Sequence, residues 1–329
     1  MFQTDVNHFL QHINNPVWTC FMEGISALGS YHFYLLFLFA LIFSIEYRKG
    51  FIVLQCMLWS NFFTVWLKDI LNMPRPYHVD AELRIFENLQ GVPRLKNGGA
   101  VSFFSTLPQY TLEQLRNSGE ISNGFPSGHT STATSFWISA GVLLRKKGVL
   151  ISAVVFVLLT IVSRLFLAQH FLADIVGGLF IGIIPVFIVF YGVIRRNVLE
   201  NWLAFKFWQN KTSLFFWIAP LLLLLLPDTQ VSLVGTIIGV NAGAWLACRN
   251  GFPSSEGSFW KRMVRFFVSI IVFSLINLFF GKLTLQLTND GILFSKNVIE
   301  FGLVFYLSTR LCLHLKLFEN RLTDAQPMP

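Results

Sequence analysis

Apolar runs long enough to cross about 30 Å of hydrocarbon, roughly 20 residues of helix, recur along the whole sequence and leave it few ways to fold. They lie near residues 28–45, 51–67, 127–144, 149–163, 171–194, 213–227, 230–248, 264–281 and 293–313. Lipid offers no partner to backbone N–H and C=O groups, so such runs must form helices that satisfy their own hydrogen bonds. The expected fold is therefore all-α, a polytopic transmembrane helix bundle of about nine spans. Composition agrees: of 329 residues, 54% are apolar and 13% charged, against about 25% charged in a soluble domain. A disordered chain and an ordinary soluble domain are both excluded. Residues 5–22 carry Phe, Leu, Ile and Trp in an amphipathic pattern and read as a segment lying on the membrane. The opening MFQTDVNH lacks a positive n-region, so no cleaved signal peptide is expected.

The charges order these spans. The chain holds 25 Lys and Arg against 17 Asp and Glu, a net +8. Most of the basic residues, including Arg48-Lys49, Arg145-Lys146-Lys147, Arg195-Arg196 and Lys261-Arg262, fall at alternate ends of the spans. The richer side is expected to be cytoplasmic, with the N-terminus outside and the C-terminus inside. The positive balance thus reads as topology, and no nucleic-acid partner is expected. Cys20, Cys56, Cys248 and Cys312 are far apart in sequence and suggest neither a disulfide framework nor a metal site. Three regions are expected: an external interfacial segment over 1–27, a core over 28–195 with the long external loop 77–123, and further helices with a cytoplasmic tail over 196–329. Within the loop, Tyr110–Arg116 suits a short helix.

Three patterns break the charge arrangement at the external ends of the second to fifth spans. They are Lys68 with Arg75-Pro76, then Pro126-Ser127-Gly128-His129, then Ser163-Arg164 with His170 and Asp174. Lys68, Arg75 and Arg164 supply three cations, two of them planar forks that match phosphate oxygens. Ser127 and Gly128 fall at a helix start, where free N–H groups and the dipole attract an anion. His170 and Asp174, four residues apart, share a helix face. A carboxylate on one ring nitrogen fixes the tautomer and leaves the other as nucleophile. His129 is placed to protonate a leaving oxygen. Singly, each residue has a bland reading: a lone Lys or Arg at a membrane edge usually snorkels, and a lone His usually makes a structural hydrogen bond. Three patterns in order on one side outweigh it.

These residues resemble the signature of the type 2 phosphatidic acid phosphatase (PAP2) superfamily, K-x6-R-P, P-S-G-H and S-R-x5-H-x3-D, with every position matched. The superfamily also includes vanadium haloperoxidases and glucose-6-phosphatase. The resemblance covers about residues 25–195 and leaves 196–329 unexplained. It implies that His170 accepts the phosphoryl group, that Asp174 orients it and that His129 protonates the leaving oxygen. It also implies that Lys68, Arg75, Ser127, Gly128 and Arg164 bind phosphate, with no metal or other cofactor. The chain has more spans than the simplest bacterial lipid phosphatases, a layout similar to the sphingosine-phosphate phosphatase and glucose-6-phosphatase branches.

The expected activity is that of an integral-membrane phosphoric monoester hydrolase acting on a lipid phosphate or pyrophosphate among membrane lipids. A soluble sugar phosphate as substrate and transfer of the phosphoryl group to another acceptor are the alternatives. An anion channel built on the basic cluster is disfavoured, because a filter needs no oriented nucleophile. The expected location is a bacterial inner membrane, with the site facing the periplasm.

Overall fold

In the computed structural model the described residues are 1–13, 15–86, 93–96, 98–118, 123–194, 215–249, 251–284 and 289–318. Glu87, Glu120, the first two residues of the 213–227 run and the end of the tail lie outside them. Each expected apolar run falls on a helix, because within lipid each backbone group must be satisfied inside its own segment. The helices are α1 (Asp5–Gln11), α2 (Pro16–Leu28), α3 (Tyr31–Phe39), α4 (Tyr47–Leu71), α5 (Pro76–Val79) and α6 (Gln109–Asn117). They continue as α7 (Gly128–Ala133), α8 (Ser139–Leu144), α9 (Lys147–Phe166), α10 (Leu172–Ile188), α11 (Phe215–Leu222), α12 (Val231–Cys248), α13 (Phe259–Thr284) and α14 (Asp290–His314). The protein is all-α among the described residues.

Among the described residues, six helical segments have the length and apolarity to cross a membrane: Tyr47–Val79, Lys147–Phe166, Leu172–Tyr191, Val231–Cys248, Phe259–Lys282 and Asp290–His314. The pair Pro16–Leu28 and Tyr31–Ile45, bent by 53°, makes a seventh if it is one span. The two remaining runs are weaker. Residues 128–144 are rich in Ser and Thr and contain the π-helical turn Thr134–Ile138 between α7 and α8. The other, α11, carries Pro220 inside it and ends in a 3₁₀ turn at Leu223–Leu225.

The chain divides into two compact units. One comprises Met1–Tyr34 and Trp59–Pro185 and contains all three signature patterns. In it α10 lies against α7 through small residues. A Cβ on Gly178 would sit 2.7 Å from the Ser127 carbonyl oxygen, and one on Gly182 would sit 2.6 Å from that of Ser131. Only glycine lets the two backbones approach this closely. The segment 5–22 is two helices separated at Asn15, whose side chain caps α2 by accepting from the Val17 N–H with Pro16 at the first helical position. These helices bury Asn7, Gln11, Met22 and Ile25 within the unit. The short helix expected at Tyr110–Arg116 is α6.

The second unit comprises Leu35–Leu58 and Val186–Pro329. Here α12 packs on α14 through Gly235 and Gly239, each of whose Cβ would lie 2.6 Å from a facing carbonyl, of Phe294 and Val298 respectively. Gly243 meets Gly302 in the same way. Pro220 has no N–H to give to Phe216, four residues back. The Asn241 amide donates to that carbonyl instead at 2.7 Å, while Gln55 donates to the Asn241 oxygen at 2.9 Å. Lys296 and Glu300, one turn apart on α14, pair at 2.7 Å.

Candidate active site

The site is built on the turn that joins α9 to α10. Helix α9 ends when Ala168 adopts the left-handed conformation, φ 52°. The Ala168 N–H then bonds the Leu165 carbonyl at 3.1 Å, and the Gln169 N–H bonds the Arg164 carbonyl at 3.1 Å. This paired closure is a Schellman turn, which reverses the chain and keeps Arg164 close to His170. Three residues later α10 opens with Asp174 in its first turn, where a carboxylate suits the helix dipole. Asp174 Oδ2 accepts from the Phe171 N–H at 2.9 Å, the return half of a capping box. The same oxygen lies 3.2 Å from His170 Nδ1. One carboxylate therefore both starts the helix and fixes the imidazole, leaving His170 Nε2 for other chemistry.

The second pattern is joined to this turn by backbone. The Ser127 N–H donates to the Asp174 carbonyl at 2.9 Å. The Ser127 hydroxyl accepts from the Thr130 hydroxyl at 2.9 Å and from its N–H at 3.4 Å, so it caps α7 and keeps its own O–H to donate. A Cβ on Gly128 would meet only Thr64 Cγ2, at an ordinary 3.7 Å. Packing within the protein therefore does not require glycine at that position. At Gly124 packing does: a Cβ there would lie 2.8 Å from the Pro74 carbonyl and 3.2 Å from Asp174 Oδ2. The His129 ring lies against Gly29 at the end of α2, where a Cβ would come within 2.6 Å of the ring.

The cations complete the cluster. Lys68, at the end of α4, donates through Nζ to the Asn123 carbonyl at 2.6 Å. Arg75, before α5, donates to Gln169 Oε1. Arg164 donates through Nη1 to the Ser26 hydroxyl at 2.6 Å. Arg164, His170 and Asp174 are 4%, 2% and 0% exposed, so their charges act in a poorly screened setting. Burial, followed by the positive charges of Arg164, Arg75 and Lys68 and then by His129, holds the His170 imidazole well below its ordinary pKa. His170 is thus neutral at physiological pH, the form a nitrogen nucleophile needs.

All eight residues singled out in the sequence lie in this one unit, around one turn. Sequence reasoning missed Asn7, Ser26, Gln169 and the Asn123 carbonyl.

Such an arrangement can bind a multiply charged oxyanion against three cations and attack its central atom from a neutral, oriented imidazole. Comparison with curated proteins and with solved structures found no match. Residues 49–197 match the model of the PAP2 superfamily, a stretch that contains every signature position. The region 49–197 therefore belongs to the PAP2 superfamily, which supports phosphatase-type activity.

Proposed function

We propose that this protein is an integral-membrane phosphatase that hydrolyses a phosphomonoester or pyrophosphate of a lipid through a phosphohistidine intermediate, without a metal ion. The observation that carries the reading is the His170 Nδ1 to Asp174 Oδ2 contact of 3.2 Å inside a cluster of three cations. The His170 Nε2 lone pair attacks phosphorus, the P–O bond to the lipid breaks, and the leaving oxygen takes a proton from His129. Water then attacks the phosphohistidine, the P–N bond breaks, and the proton released by water returns to His129. Lys68, Arg75, Arg164, the Ser127 hydroxyl and the Gly128 backbone hold the phosphoryl oxygens throughout and neutralise the charge that develops on them.

A lipid substrate suits the surroundings. Helices α9 and α10 carry the reactive turn and expose Ile151, Leu158, Phe180 and Phe187 on their other faces. A headgroup entering from the bilayer would reach the turn at the outer end of these helices, on the periplasmic side of a bacterial inner membrane. The test is phosphate release by the purified protein from phosphatidate, phosphatidylglycerophosphate, polyprenyl pyrophosphate, a sphingoid phosphate and glucose 6-phosphate, with and without EDTA. Release from a lipid, unaffected by EDTA and blocked by orthovanadate, is expected. Exclusive release from glucose 6-phosphate would replace the lipid reading with the sugar-phosphate one.

A further inference from the structure

The two ends of the reactive turn are held by residues from far away in the sequence. Helix α9, like any helix, ends in carbonyls with no partner of their own. Asn7 and Gln11, one turn apart on α1, supply amides to two carbonyls of the last turn of α9: that of Leu165, which also accepts from the Ala168 N–H, and that of Phe166. Asn7 Nδ2 donates to the Leu165 carbonyl at 2.7 Å, and Gln11 Nε2 donates to that of Phe166 at 2.9 Å. Capping alone would account for these bonds. Asn7 does something more: the same Nδ2 lies 3.2 Å from the carbonyl of His170, so one buried amide ties the end of α9 to the backbone of the nucleophile. Its own Oδ1 has no hydrogen-bond partner among the described residues, so the contact depends on donation alone.

Helix α2 repeats the pattern one step upstream. The Ser163 hydroxyl donates to the Met22 carbonyl at 2.7 Å, and Arg164 donates to the Ser26 hydroxyl at 2.6 Å. The N-terminal stretch is further seated by Phe2, whose ring packs edge-on against Phe171 at 5.6 Å, and by a backbone bond of 3.3 Å from the Ala173 N–H to the Met1 carbonyl.

We propose that α1 and α2 form a clamp on the reactive turn, in which Asn7 is a positioning residue for His170 and Ser26 a positioning residue for Arg164. The inference rests on the phosphatase reading above. The two residues act on different steps. Asn7 sets where the attacking nitrogen sits relative to phosphorus, which governs turnover. Ser26 sets the direction of a guanidinium that binds phosphoryl oxygens, which governs affinity.

The experiment compares full-length Asn7→Ala, Asn7→Asp, Ser26→Ala and Ser26→Thr with the native chain on whichever panel substrate the native chain cleaves best, with orthovanadate as inhibitor. Asn7→Ala should lower kcat about 10²-fold with KM and vanadate affinity unchanged. Asn7→Asp, which sets a carboxylate against two carbonyl oxygens, should do no better. Ser26→Ala should raise KM and weaken vanadate about tenfold together, and Ser26→Thr, which keeps the hydroxyl, should restore both. A merely structural role predicts a lower thermal midpoint with native kcat and KM in the folded fraction, and that result overturns the clamp. Should Asn7→Ala fail to fold, the pair of Ser26 variants decides the matter by the same split. Native kinetics in these variants while His170→Ala is dead removes the clamp and leaves the phosphatase reading intact. A native chain inactive on the whole panel removes both.

Discussion

At the scale of single residues, His170 and Asp174 carry the heaviest load, and their separate replacement distinguishes nucleophile from orienter. His170→Ala should abolish phosphate release outright. Asp174→Asn keeps the shape of the side chain but loses the carboxylate that fixes the tautomer, and should cost about 10²–10⁴-fold in kcat while vanadate still binds. Full turnover by the His170→Ala protein would end the nucleophile assignment. The pH profile gives an independent check. An ordinary His gains its proton near pH 6.5, whereas burial and the neighbouring cations push the His170 pKa well below its ordinary value. Lowering the pH therefore protonates His170 only below the range in which an ordinary imidazole gains its proton. The acid limb of kcat/KM attributable to this group should lie below pH 6.5, and a limb at or above that value would contradict a neutral, cation-flanked imidazole.

The signature residues were legible in the sequence because fixed spacing encodes their geometry: four residues from His170 to Asp174 is one helical turn, and the left-handed Ala168 brings Arg164 round to meet it. Asn7, Ser26 and Gln169 were not legible. Asn7 and Ser26 act across 158 and 138 residues of sequence. A single Asn or Ser has many ordinary uses, so the residue type alone gives it no distinguishing mark.

At the scale of elements, the site depends on how closely α10 can approach α7. Gly178 and Gly182 face the carbonyls of Ser127 and Ser131, so even one methyl group must push backbone away from backbone. Gly178→Ala should therefore destabilise by about 1–3 kcal/mol, the usual cost of overpacking. It should also lower activity, because the displaced backbone is that of the turn proposed to bind phosphate. Gly24 provides the contrast. It lies within α2, and a Cβ there would meet nothing within 4 Å. Gly24→Ala should be neutral or stabilise by about 0.5–1 kcal/mol through higher helix propensity. Equal thermal midpoints for the two variants would show that α10 and α7 are not so closely apposed. Which partner these glycines face is a tertiary fact that local sequence does not carry. The same holds for Pro220, readable as a helix breaker, whose orphaned Phe216 carbonyl is satisfied by Asn241.

At the scale of the whole molecule, the open question is which side of the membrane the chemistry faces, and charge alone supports an answer. From the basic residues clustered at one set of helix ends, we propose that Lys146 faces the cytoplasm and the 77–123 loop the outside. Ser102 in that loop and Lys146 between α8 and α9 are both exposed, so each position can accept a reporter without disturbing packing. Of the four free cysteines Cys56, Cys248 and Cys312 are buried and only Cys20 is exposed, so Cys20→Ser gives a quiet background. In intact spheroplasts a membrane-impermeant maleimide should label Ser102→Cys at once and Lys146→Cys only after permeabilisation. The reverse order would turn the molecule over and place the reactive turn, which lies at the same helix ends as the loop, on the cytoplasmic face. Labelling of both from outside would mean that the helix over 128–144, short and rich in Ser and Thr, does not cross the bilayer. The positive residues would then have to be read as surface anchors and not as markers of sidedness. The expected order, by contrast, puts the three cations proposed to bind phosphate on the side that the positive-inside tendency leaves poor in basic residues. Function, and not insertion, then accounts for their presence there.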